Sequence, residues 1–289
     1  MGLRERMLLA TCAFVASLRA PTRLALGDRL GDLLRWLPTR AQRVTRRNLK
    51  IVAPQLPLDF RAVMQAHGRG ILDTLKIWGS EPTKLLNEIE QIDGAEHLSQ
   101  AIAAGRGVLI AAPHLGAFEL LNLYLKSHGT LSILYKPPKQ AWLEPFLNAQ
   151  RARSGAHPIP ASASGVRNLL KALKRGEMVG ILPDQQPKLG DGEFAPFFGV
   201  DAFTMTLFCK LARASGARVL IGFAERSASG YRIHIRPAAA ALSSEDLAQA
   251  VVALNRDVEA LVRCAPLQYQ WSYKRYSIRP ASASERIYP

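Results

Sequence analysis

His114 and Glu119, five residues apart in Ala-Pro-His-Leu-Gly-Ala-Phe-Glu, are the pair in this sequence whose types suit acid–base chemistry. In a continuous helix that spacing turns the second residue about 140° from the first, so the two would not face one another. They meet only if His114 sits at or before a helix start, where the chain turns. Gly116 supplies the backbone freedom for such a turn. A carboxylate on one imidazole nitrogen fixes the tautomer and stabilises the imidazolium, leaving the other nitrogen as a base. No Gly-x-Ser-x-Gly nucleophile elbow accompanies the pair. The base is therefore expected to act on a hydroxyl brought by a substrate, not on one of the protein's own. The other histidines (His67, His97, His128, His157 and His234) fall in helices, turns or mid-strand.

Two more polar clusters stand in equivalent places. Tyr135-Lys136-Pro137 and Pro183-Asp184-Gln185-Gln186 each follow a short apolar run, as Pro113-His114 follows Val108–Ala112. The runs after Gly107, at Leu131–Tyr135 and at Met178–Leu182 read as buried strands. Helical patterns lie between and after them, at 117–127, 143–153, 165–175 and 203–215, the last ended by Gly216. Residues 217–225 and 231–236 read as two adjacent strands joined by Ser-Ala-Ser-Gly. A long helix follows at 245–264, with Ser243 and Ser244 as caps. Ahead of the first strand, residues 1–105 read as helical. Arg61–Trp78 and Ile89–Ala104 have helical spacing, and Gly94 and Gly105 act as punctuation. Strands alternating with helices predict an α/β fold: a mostly parallel central sheet flanked by helices, with an antiparallel edge. Open α/β sheets carry their sites at the carboxyl ends of strands. Three polar clusters at three such ends exceed what packing needs.

The chain has 289 residues, of which 48% are hydrophobic, which suits a large core and excludes a disordered or low-complexity protein. Cys12, Cys209 and Cys264 are too few and too scattered for a disulfide framework or a zinc site. They read as small apolar residues in a reducing compartment. The 38 Lys and Arg against 23 Asp and Glu give a formal net charge of +15. That excess is uneven. Residues 1–60 carry eleven basic and four acidic residues, and residues 263–289 carry five and one, while the middle is close to balanced. Nucleic acid, an anionic membrane and an acidic protein all fit cationic ends. With 7% aromatic residues and no nucleic-acid-binding motif, nucleic acid is not expected.

The N-terminal segment points to a membrane surface. Met7–Leu18 is an uncharged, mostly apolar run of 12 residues. It is shorter than the roughly 20 a helix needs to span a bilayer. Arg4 and Arg6 precede it as in a signal peptide, yet no small-x-small cleavage site follows. Instead apolar positions continue from Leu24 to Leu37 with Arg23, Arg29 and Arg35 between them. This is the composition of an interfacial amphipathic helix pair. Residues 1–40 are accordingly expected to be membrane-anchoring helices, and residues 41–289 a single α/β domain.

His-Leu-Gly-Ala-Phe-Glu resembles the His-x4-Asp/Glu motif of membrane-associated glycerolipid and lipid A acyltransferases. Tyr135-Lys136-Pro137 with Gln150-Arg151-Ala152-Arg153 is similar to that family's Tyr-Arg-Pro and Gly-Arg-x-Arg block. Leu182–Gln186 with Phe194-Ala-Pro-Phe-Phe-Gly199 resembles its Pro-Asp-Gln/His and Val-Pro-Phe-Phe-Gly block. Ala212–Ala217, Pro266–Tyr276 and Arg43–Pro57 resemble further stretches, so the likeness covers nearly the whole chain. It points to the late, lauroyl/myristoyl-type lipid A acyltransferases. The Phe-Pro-Glu-Gly-Thr-Arg block of the glycerol-phosphate branch is missing. Lys136, Gln150 and Tyr273 stand where the pattern has Arg, Gly and His.

The resemblance implies that His114 is the general base on an acceptor hydroxyl and that Glu119 orients and charges it. The donor would be an acyl thioester on acyl carrier protein or CoA, with no resident cofactor and no metal. The acceptor would be a lipid A precursor or another anionic glycolipid. Arg151, Arg153, Lys136 and Asp184 would shape the substrate site, and the protein would sit on the cytoplasmic face of the bacterial inner membrane. For Arg151 and Arg153 a helix-end position suited to the dipole reads equally well, as does a turn role for Asp184. Phe194, Phe197, Phe198, Phe203 and Phe208 fit either an acyl-chain groove or a core cluster.

Overall fold

Four long helices precede the sheet in the computed structural model, which describes residues 2–138, 140–281, 283 and 286–288, with the backbone alone at 141, 151, 152 and 154. They are α1 (Leu3–Ser17), α2 (Ala20–Trp36), α3 (Arg40–Val52) and α4 (Phe60–Gly79). Pro21 opens α2, while the side chains of Thr39 and Asp59 accept from the first free N–H groups of α3 and α4. Glycines set how closely α2 lies on α4: a Cβ on Gly31 would come 2.3 Å from the Met64 carbonyl oxygen, and one on Gly68 2.1 Å from that of Gly27. A short α5 (Pro82–Leu86) leads into the sheet.

The sheet is built from β1 (Ile89–Asp93), α6 (Ala95–Ala103), β2 (Val108–Ala111), α7 (Phe118–Lys126), β3 (Leu131–Tyr135), α8 (Glu144–Ser154), β4 (His157–Pro160), α9 (Ala163–Lys174) and β5 (Met178–Ile181). A hairpin of β6 (Gly192–Phe197) and β7 (Val200–Met205) follows. Then come α10 (Leu207–Ser215), β8 (Arg218–Arg226), β9 (Tyr231–Pro237) and α11 (Leu247–Cys264). Seven strands pair in the order β1-β9-β8-β2-β5-β3-β4, all parallel except β8 with β9. The central strands β2 and β5 are buried throughout. Alternation along β2 divides the core. Leu109 and Ala111 face α9, α11 and the β6–β7 hairpin, and Val108 and Ile110 face α6 and α7.

The α/β expectation therefore stands, with differences in detail. Ile89–Ala104 is a strand and then a helix, divided at Gly94, whose φ of 87° ends the one before the other begins. Its apolar positions satisfy helical spacing, but β9 offers Ile89–Asp93 a parallel partner, which makes that segment the edge strand. The helix expected at 203–215 begins at Leu207. Residues 200–205 instead form a strand, because Phe198 and Gly199 take φ of 49° and 77° and turn the chain in a two-residue hairpin loop. Strand β4 was not foreseen. It contains two prolines, which a sheet accepts at an edge, and β4 is an edge strand. The cap of α11 is Asp246, which accepts from Ala248 and Gln249, not Ser243 or Ser244. Phe197, Phe198 and Phe208 lie in the core, which decides them as packing residues. Cys12 and Cys209 are buried, but Cys264 is exposed, against the expectation for a small apolar residue.

Candidate active site

Strand register brings the site together. Parallel pairing sets Ala111 of β2 opposite Ile181 of β5. His114 and Asp184 each lie three residues further on, so both leave the same edge of the sheet side by side. The Asp184 carboxylate takes two bonds from one residue: the His114 backbone N–H at 3.0 Å and the ring Nδ1 at 2.8 Å. Asp184 is buried, while the His114 side chain keeps 18% of its surface. Burial works against the Asp184 charge, yet the His114 ring and N–H outweigh it and hold the carboxyl below its usual range. Nδ1–H donates to Asp184 in this network, which leaves Nε2 as the acceptor.

Gln185 stands at that second nitrogen. Its amide nitrogen lies 3.1 Å from His114 Nε2 and 3.1 Å from Gln270 Oε1, so Gln270 fixes which way the amide points. Phe118 meets the imidazole edge to face at 5.7 Å. The expected partner of the ring, Glu119, is not the residue on Nδ1. It sits half-buried in the first turn of α7, and Asp184 occupies the orienting position. The reason is the strand register, which carries Asp184 to the ring directly, whereas Glu119 lies in the first turn of α7.

The turn at His114 is set by Gly116 and by the C-terminal block. Gly116 has a φ of 62°, and a Cβ there would come 2.0 Å from the Ala224 carbonyl oxygen. Ala117 N–H donates to that same oxygen at 2.7 Å, starting α7 against β8. Residues 266–276 run past the loop. Gln270 N–H donates to the His114 carbonyl at 3.0 Å, and Gly116 N–H to that of Gln268 at 3.2 Å. Tyr273 accepts from Gln186 N–H at 2.8 Å, which steadies the loop after Asp184. Buried Tyr269 faces Asp184. Burial first, and then that neighbouring charge, keep its hydroxyl protonated well above the ordinary tyrosine value.

The outer shell ties this block to the rest. Asn48 of α3 donates to the carbonyls of Trp271 at 2.7 Å and Tyr273 at 2.8 Å. Buried Arg275 donates to Phe203 O at 2.7 Å and Thr204 Oγ1 at 2.6 Å, joining the block to the hairpin.

A model of the bacterial lipid A biosynthesis acyltransferase family matches residues 6–277. The chain belongs to that family. Within it, the palmitoleoyltransferase of lipid A biosynthesis from Escherichia coli (strain K12) is 29% identical over 272 residues, covering 91% of this chain and 88% of that one. The lipid A biosynthesis lauroyltransferase of the same strain is 29% identical over 285 residues, or 94% and 90% of the two chains. A phosphatidylinositol mannoside acyltransferase from Mycobacterium tuberculosis (strain ATCC 25618 / H37Rv) is 26% identical over 182 residues, covering 61% and 57%.

In this member of the lipid A acyltransferase family the remaining expected site residues are scattered. Lys136 is exposed just past β3, on the same sheet edge as His114 and with β5 between their strands. Arg151 lies in the last turn of α8, and its side chain is outside the described residues. Arg153 turns to the end of α4, donating to Trp78 O at 2.9 Å and Ser80 O at 3.1 Å and pairing with Glu81. That position suits the dipole of α4. Gln185 belongs to the polar cluster after β5, and Tyr273 to the C-terminal stretch that carries the family likeness. Gln270 lies in that stretch too, and nothing local marks its contact with the Gln185 amide.

Proposed function

We propose that this chain is an O-acyltransferase that moves a fatty acyl chain from a carrier-bound thioester to a hydroxyl of a lipid A precursor or related glycolipid. The observation that carries the reading is the His114–Asp184 pair, with Nε2 left as acceptor, at the carboxyl edge of the sheet in a member of this family. The acceptor hydroxyl takes the place of Gln185 at Nε2. Nε2 removes its proton as the oxygen attacks the thioester carbonyl, and the carbonyl opens to a tetrahedral oxyanion. Asp184 stabilises the imidazolium that forms. The oxyanion collapses, the carbon–sulfur bond breaks, and the imidazolium returns the proton to the leaving thiolate. Glu119 adds a second carboxylate at the same turn. Lys136 and Arg151 are assigned to anionic groups of the substrates at the rim.

The donor in this reading is acyl carrier protein, with CoA as the alternative carrier. The place of action is the cytoplasmic face of the inner membrane. Supporting this, Leu3, Phe14 and Trp36 of α1 and α2 are 74%, 63% and 73% exposed among many arginines. Among the described residues no helix is long and apolar enough to cross a membrane. The contact in this reading is with the interface, through those exposed apolar side chains. The test is acyl transfer by purified protein from an acyl carrier thioester to a lipid A precursor, read as a mass gain of one acyl chain. His114→Ala should abolish the gain while the fold persists. Transfer at the wild-type rate by that variant would sink the mechanism. Lipid mass spectrometry of cells with and without the protein identifies the acceptor. A difference on another glycolipid would move the reading toward the phosphatidylinositol mannoside type of relative.

A further inference from the structure

A cavity of about 230 Å³ lies between α2, α4 and the turn joining β8 to β9, floored by Leu267 and Gln268. Its wall is charged, with Arg23, Arg69, Asp73, Lys76, Glu88 and Arg226. Most of that charge is already matched. Arg69 holds Asp28 through bonds of 2.6 and 2.7 Å, Lys76 pairs with Glu88, and Tyr231 donates to Asp73 Oδ1 at 2.6 Å. Two groups are left over. Asp73 Oδ2 is buried without a hydrogen-bond partner, in a residue only 8% exposed. The Arg226 guanidinium makes no hydrogen bond or ion pair among the described residues. It lies flat against α4 at Gly70, where an added Cβ would come within 3.3 Å of one of its nitrogens.

A guanidinium carries five donors and no acceptor, and that of Arg226 lines the cavity. Arg23 spends one nitrogen on Leu18 O at 2.9 Å and keeps the rest. The unmet groups are thus mainly cationic donors. A compact oxyanion with several acceptor oxygens satisfies a forked guanidinium best. Asp73 need not repel it. Burial, opposed by Arg226 and by the Tyr231 bond, pushes its carboxyl above the usual carboxylate range, which lowers the cost of an anion beside it.

We propose that the cavity between Arg23, Asp73 and Arg226 is an anion site that takes a phosphoryl group. It opens on the same sheet edge as His114, since β8 runs parallel to β2. Gln268 links the two: its side-chain amide exchanges two 3.0 Å bonds with the Arg226 backbone, and its carbonyl accepts from Gly116 N–H. The site stands independently of acyl transfer, because binding is read without turnover and in the His114→Ala protein as well.

The experiment is calorimetric titration of the full chain in neutral detergent with inorganic phosphate and, separately, with dihexanoyl phosphatidic acid. Saturable binding of one ligand per chain is expected. Arg226→Gln should weaken it about 10-fold or more, with Arg226→Lys intermediate, because a point charge replaces a fork. Arg23→Gln, at the half-buried rim, should weaken it measurably with folding intact, and it decides the matter if Arg226→Gln does not fold. Binding of phosphatidic acid alone assigns the site to a lipid headgroup, and binding of both assigns it to the phosphoryl group in general. No saturable binding of either ligand, or unchanged affinity in the variants that fold, overturns the proposal.

Discussion

His114 is held by Asp184 through ring and backbone together, so each substitution at the pair has a distinct signature. His114→Ala is expected to lower kcat by about 10²–10⁴-fold, with the fold kept but the melting temperature lowered because Asp184 stays buried without the ring, checked by turnover and calorimetry. Asp184→Ala removes a buried partner and should cost about 3–5 kcal/mol of stability as well as activity. Glu119→Gln changes a half-buried residue in a helix's first turn. It is expected to reduce turnover with the chain still folded, so turnover and denaturant unfolding measured together separate the two carboxylates.

The pH dependence follows from the sign of the Asp184 shift. Its folded value lies below the unfolded one, which is about 3.9, so its stabilising contribution is complete above that pH. It is lost as pH falls through the folded value. The stability gap between wild type and Asp184→Asn should therefore stay level from neutral pH to about 4 and close below it. A gap that stays unchanged as the pH falls well below about 4 would overturn this assignment to the Asp184 charge.

At the scale of elements, the loop from β2 to α7 has one shape available to it. Gly116→Ala combines a positive φ with a 2.0 Å approach to the Ala224 carbonyl oxygen. The expected cost is about 1–3 kcal/mol, together with a loss of activity, because the displaced segment carries His114. Asn48→Ala tests the outer support. It leaves the Trp271 and Tyr273 carbonyls without their donor, for about 1–3 kcal/mol. The loss should also reach turnover through Tyr273 and the Gln186 N–H it accepts. Full activity in an Asn48→Ala protein of lowered stability would show that the C-terminal block braces the fold but not the site.

Across the whole molecule, the cationic ends divide by role. At the C-terminal end Arg275 is buried under the hairpin and Arg279 donates to Asp201 O, while Arg263 and Arg286 stay exposed. The N-terminal end remains outside. Helices α1 and α2 lie on α4 through close glycine contacts, yet Leu3, Phe14 and Trp36 face away from that packing. Deleting residues 1–26 would bare α4, so substitution is the cleaner test. A Phe14→Ser/Trp36→Ser protein should sediment less with anionic vesicles than wild type, and both should release as salt is raised. Vesicle binding unchanged by the two substitutions would place the contact elsewhere on the chain.

Much of this protein was written locally. Continuous apolar runs marked β2, β3 and β5, helical spacing marked α4, α7, α9 and α11, and the polar residues after three strands marked the edge that holds the site. These signals are local because burial of a strand or a helix face constrains residues near one another in sequence. The partner of His114 was decided only in three dimensions. Five residues along the chain, Glu119 stood closer than Asp184, seventy residues away, but parallel register set Ala111 opposite Ile181 and delivered the aspartate to the ring. The same holds for β1, β4 and the hairpin, which are strands because a neighbouring edge or helix receives them. Local periodicity carries the identity of the elements, while pairing between distant segments is a property of the sheet, and the chemistry at His114 depends on the pairing.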